Sequence, residues 1–172
     1  LGVEKTLGDL LGPCAFAILM GGARVYFGSK GAHLPLTRIL TGSALLCVVS
    51  YLIAVFSPYP ILSLIGCALC GLSVGAMWPG TISLSAKSFP KGGTAMFAML
   101  AFAGDLGCSS GPGLVGVVSS RVQEGARWAQ ALFTDGAQAA LKAGLLLAII
   151  FPVVLVLGVS LVRVLRQKGA IS

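Results

Sequence analysis

Charge is scarce in this 172-residue chain, at 10% of residues against about 25% for a typical soluble domain. No charged residue occurs from Ile39 to Ala86 or from Ala143 to Val162, and Gly92 to Ser120 holds only Asp105. A helix needs about 20 apolar residues to cross about 30 Å of hydrocarbon, and these runs supply them. With 56% hydrophobic residues and a mean hydropathy of +0.97, the chain carries more apolar surface than one soluble core of this length can hide. Histidine is nearly absent. His33 stands alone in a polar connection, which leaves most hydrolytic mechanisms without a base. No Ser-His-Asp set, metal-ligand cluster or phosphate loop can be assembled, so no enzyme, cofactor or metal is expected. A signal-peptide pattern is also lacking. The chain opens on Leu1 shortly before an apolar run, which reads as the interior of a longer protein.

What charge there is sums to +7, yet the basic residues form short clusters between apolar runs rather than a stripe, so nucleic acid is not an expected partner. The five cysteines (Cys14, Cys47, Cys67, Cys70 and Cys108) lie inside apolar runs, where they read as small packing residues. Cys67 and Cys70 form a C-x-x-C without the second pair or histidine that a zinc site needs.

The pattern predicts five transmembrane helices, at about 7–27, 36–56, 61–86, 94–119 and 141–165. Thr6 and Asp9 have capping-box spacing at the start of the first. Ser57-Pro58-Tyr59-Pro60 breaks the long uncharged run between the second and third. Residues 120–140 read as an extracytoplasmic loop with a short interfacial helix anchored by Trp128. The fifth helix is expected to bend at Pro152. One side of this arrangement collects Arg24, Lys30, Arg38, Lys87, Lys91, Arg163, Arg166 and Lys168 without an acid. The other mixes Lys5, Arg121, Arg127 and Lys142 with Glu4, Asp9, Glu124 and Asp135. The positive-inside rule therefore places the C-terminus in the cytoplasm and Leu1 outside. The second and fifth helices, rich in Leu, Val and Ile, are expected at a lipid-facing rim. The third and fourth carry Gly71-x-x-x-Gly75 and Gly107-x-x-x-Gly111 and are expected to pack closely at the centre.

Three features invite a functional reading. Asp105 is the one acid deep in an apolar span, where a charge costs about 2.5–3.5 kcal/mol on insertion scales. It is either a coupling or binding carboxylate or a hydrogen-bond partner between helices. The polar run Trp78-Pro79-Gly80-Thr81-Ile82-Ser83-Leu84-Ser85, with Met77 before it, either lines a sugar-sized cavity or is an interfacial aromatic whose neighbouring hydroxyls bond their own helix. Gly111-Pro112-Gly113-Leu114-Val115-Gly116 fits G-x-G-x-x-G, but it ends an apolar helix instead of following a strand, so helix packing accounts for it.

Gly21-Gly22-Ala23-Arg24-Val25-Tyr26-Phe27-Gly28-Ser29-Lys30 resembles a worn copy of the cytoplasmic G-x-x-x-D-R-x-G-R-K loop of the major facilitator superfamily. Gly21, Gly28 and Lys30 match, whereas Val25 replaces the acid and Tyr26 the arginine, so that motif's gating salt bridge does not carry over. The stretches 71–80 and 104–113 are similar to the tenth and eleventh helices of sugar-permease and fucose-permease members. The resemblance spans nearly the whole chain. It implies a five-helix portion of the C-terminal six-helix bundle of such a transporter. It further implies a missing N-terminal half, a multi-pass bacterial inner membrane location, and a small polar solute carried by alternating access, with proton symport. Met77, Trp78 and Thr81 would contact solute, Asp105 would couple or stabilise, and Gly21, Arg24, Gly28 and Lys30 would form the cytoplasmic loop. The other reading is a complete small membrane protein acting as an assembly subunit or oligomeric channel.

Overall fold

The computed structural model describes residues 5–30, 35–123 and 136–167, and every regular element among them is helical. They are α1 (Lys5–Lys30), α2 (Leu36–Phe56), α3 (Pro60–Ser88), α4 (Gly93–Gln123), α5 (Gly136–Ala148) and α6 (Ile150–Gln167). Among the described residues, four stretches are long and apolar enough to cross a membrane: Leu10–Lys30, Leu36–Phe56, Pro60–Ser88 and Ala139–Leu165. Five were expected, and α4 is the exception. It is 31 residues long, but Asp105 and its glycines and serines dilute its hydropathy.

Local chemistry sets the breaks. Ser57 leaves α2 in an extended conformation, and its hydroxyl accepts the Tyr59 N–H at 3.2 Å. Tyr59 is extended because it precedes a proline, and Pro60 opens α3 where a missing N–H costs nothing. Gly93 starts α4 at φ +53°, a left-handed conformation that suits glycine. The expected bend near Pro152 occurs as a break at Ile149, whose N–H bonds the Leu146 carbonyl in a tight turn. Pro152 then falls in the first turn of α6, where it has no N–H to lose. Thr6 lies inside α1 rather than capping it. The loop expected over 120–140 is shorter than that, since α4 continues to Gln123 and α5 begins at Gly136. His33, Trp128 and residues 124–135 lie outside the described residues.

The chain divides into two compact units, Leu1–Gly92 with Phe151–Ser172, and Gly93–Ile150. In the first, α3 packs against both α1 and α2. Its glycines explain how. At about 100° per residue, Gly66 and Gly80 share one side of α3, and Gly71 and Gly75 share the opposite side. A Cβ on Gly71 would run into the Phe16 carbonyl, and one on Gly75 would come within 2.7 Å of the Met20 carbonyl oxygen. On the other side, a Cβ on Gly66 would meet the Ser50 carbonyl oxygen at 3.0 Å, and one on Gly80 the Leu40 side chain at 2.9 Å. Contacts 16–71 and 20–75 rise together, so α1 runs parallel to α3. Contacts 50–66 and 40–80 run in opposite senses, so α2 is antiparallel to it. α2 buries Leu40, Ala44, Cys47, Ser50 and Val55 on one side and leaves the apolar Leu45, Val49, Leu52 and Phe56 exposed on the opposite side. Val159 and Leu155 of α6 close a small cluster with Leu40 and Leu84.

In the second unit α4 packs on α5 through small residues. A Cβ on Gly144 would lie 2.7 Å from Val115 Cγ1, and the Ser119 hydroxyl donates to the Ala140 carbonyl at 3.0 Å. Val122 is the one buried residue of α4. Gly107, Gly113 and Gly116 make no close contact among the described residues, since a Cβ on any of them meets nothing within 4 Å.

Candidate functional site

Parallel α1 and α3 bring their C-terminal ends to the same end of the first unit as the N-terminal end of α2. Between them is a cavity of about 530 Å³. From α1 it takes Arg24, Phe27 and Gly28, and from α2 Leu36 and Ile39. α3 contributes Ala76, Trp78, Pro79, Gly80, Ser83 and Lys87. Among the described residues its charged lining consists of Arg24 and Lys87. A second cavity of about 400 Å³ lies between the same three helices and shares Phe27 and Ile39 with the first.

The cavity joins two groups that are far apart in sequence, the worn loop motif through Arg24 and Gly28 and the α3 stretch through Trp78. Ser83 belongs to the polar run that begins at Trp78, whereas Lys87, Leu36 and Ile39 belong to no motif in the sequence. Their common signal is position, since each falls on the half of its helix nearest this end. The rest of the expected set stays outside. Met77 and Thr81 lie on a different side of α3 from Ser83 and Lys87, and the Thr81 hydroxyl donates to its own helix at the Met77 carbonyl, 2.7 Å away. Lys30 places its ammonium 5.7 Å from the centre of the Tyr26 ring. Gly21 is exposed, with nothing within 4 Å of the position of a Cβ.

Asp105 belongs to the other unit. It is exposed, as are Cys108 and Ser109 one turn on, and its backbone carbonyl accepts the Ser109 hydroxyl at 2.9 Å. α4 has three faces. Val115, Ser119 and Val122 turn toward α5. Met99, Leu106 and Val117 form an exposed apolar stripe. Asp105, Ser109 and Gly116 share a third side, which carries the polar groups together with exposed Phe102. The G-x-G-x-x-G match lies wholly inside α4, so its backbone N–H groups belong to a helix and build no phosphate cradle.

The cysteines are arranged otherwise than their spacing suggests. Cys70 faces Cys47 of α2, Sγ to Sγ at 3.9 Å, rather than pairing with Cys67. Ser73 flanks Cys47 and Tyr51 flanks Cys70. Among the described residues no three His, Cys, Asp or Glu side chains are grouped to hold a metal. No family model, curated protein or solved structure matches the chain.

Proposed function

We propose that the chain is part of a secondary active transporter of the major facilitator type, moving a small polar solute by alternating access with proton coupling through Asp105. The observation that carries this reading is the exposure of Asp105. A carboxylate within an apolar helix is tolerated in a bilayer only where protein or a water-filled path covers it. The polar side of α4 therefore calls for a partner surface or an aqueous cavity, and a second half-transporter supplies both. Apolar helices of spanning length and a Pro79-Gly80 interruption in α3 support the same reading. On this proposal α4 is the remaining span, Met77 and Thr81 reach the solute, and the basic clusters keep the C-terminus in the cytoplasm of a bacterial inner membrane.

An oligomeric channel or assembly subunit would cover the polar side of α4 with a second copy instead. One experiment separates the two. The protein containing this chain is reconstituted into vesicles, and a panel of monosaccharides is tested for solute-driven proton movement. Proton movement that Asp105→Asn abolishes while solute binding survives is the expected result. Solute-independent ion flux points to the channel, and coupled uptake that Asp105→Asn leaves intact removes Asp105 from the mechanism.

A further inference from the structure

We infer that the cavity between α1, α2 and α3 is a binding site for an acidic phospholipid, whose phosphate is held by Arg24 and Lys87 while its chain lies against apolar walls. Depth sets the geometry. Contact between Met20 and Gly75 fixes the register of the parallel pair, so Arg24 lies level with Pro79. That is about 12 Å inward of Lys87, which is next to last in α3. Arg24 thus sits below the interface and Lys87 at the mouth. Long basic side chains bend along a helix toward the headgroup layer, so Arg24 can rise toward a phosphate that Lys87 meets from above.

Charge selects the ligand. Among the described residues the lining holds two cations and no acid, so no carboxylate of that lining neutralises Arg24. An anion entering from the interface supplies the missing charge, and arginine matches a phosphate in two-point geometry. Phe27, Leu36, Ile39, Ala76 and Pro79 then offer a dry wall for the acyl chain beyond the phosphate. A soluble anion would leave that wall unused. The volume of about 530 Å³ suits a headgroup with the first part of one chain. Basic pockets between spanning helices select acidic headgroups, at about fivefold in affinity for each Lys or Arg.

This site stands apart from the solute pathway, on a different side of α3 from Met77 and Thr81, and its test reads lipid binding rather than transport. The full chain is purified in a neutral detergent and titrated with short-chain phosphatidylglycerol or phosphatidylcholine, with adducts counted by native mass spectrometry. Phosphatidylglycerol is expected to bind about 25-fold more tightly, from two charges at about fivefold each. Arg24→Gln and Lys87→Gln should each remove about fivefold of that preference and leave phosphatidylcholine binding unchanged. Arg24→Lys and Lys87→Arg should restore most of it, which shows that the variants fold. Lys91→Gln, nearby but outside the lining, should have no effect. Ser83→Trp should reduce binding of both lipids, because it fills the cavity and spares both charges. Equal binding of the two lipids overturns the proposal. So does a loss in Lys91→Gln equal to that in Lys87→Gln, wild-type binding in Ser83→Trp, or equal competition by glycerol phosphate, which would mark a soluble-anion site.

Discussion

At Gly71 a single hydrogen stands where any other residue would place a carbon into the Phe16 carbonyl. That obstacle is backbone held by two helices, so it cannot swing aside as a side-chain tip would. Gly71→Ala should therefore force α1 and α3 apart, at about 1–3 kcal/mol for an overpacked contact. Gly107 has nothing within 4 Å of the same construction, and Gly107→Ala should be neutral or gain up to about 1 kcal/mol from helix propensity. Thermal unfolding of the two variants in one mild detergent checks the contrast. Equal destabilisation would mean that α4 has a close neighbour at Gly107. Both glycines sit in G-x-x-x-G spacings, which is why the sequence assigns them the same role. Spacing reports that a close approach is possible, and only a partner at that position makes it necessary.

Elements were legible where a local rule ends them, and their partners much less so. The double proline at 58 and 60 leaves few places for α2 to stop and α3 to start, and both lie where that rule puts them. Residue content could not say which helix lies against which. Four glycines on α3 make two opposed contact sides, whereas Gly107, Gly113 and Gly116 on α4 meet nothing. The cavity was hidden for the same reason. Arg24 and Lys87 come together only through the parallel register of α1 and α3, a fact about contacts rather than composition. Register between α2 and α3 has its own reporter in Cys47 and Cys70, 3.9 Å apart at sulfur. Copper-phenanthroline with oxygen removes two electrons and two protons from this thiol pair and leaves one S–S bond. A bond length near 2.05 Å requires an approach of roughly 2 Å, which small side-chain rotations supply. Mass spectrometry should then find peptides of α2 and α3 linked through these residues. The link should vanish in Cys47→Ser and persist in Cys67→Ser. A Cys67–Cys70 product alone would show that α3 is rotated away from this packing.

For the molecule as a whole, the unsettled surface is the polar side of α4. Exposure alone does not distinguish it, because Met99, Leu106 and Val117 are exposed on another side of the same helix. Chemistry does. Hydrocarbon suits those three side chains and penalises Asp105 by several times thermal energy. A transporter resolves the conflict by keeping the Asp105 side in water during part of its cycle. Cys108, one turn beyond Asp105 and exposed, can report that water. Thiolates react with charged thiosulfonates, and thiolates form where water reaches the sulfur. In the protein containing this chain, a variant retaining Cys108 alone should be labelled by a membrane-impermeant thiosulfonate, and saturating solute should slow the reaction. Leu106→Cys in a cysteine-free background places the thiol nearly opposite on α4 and should stay unreactive in lipid. Labelling of neither position would mean that protein covers the Asp105 side without admitting water. Asp105 would then be a buried contact between helices, and the proton path would have to run elsewhere.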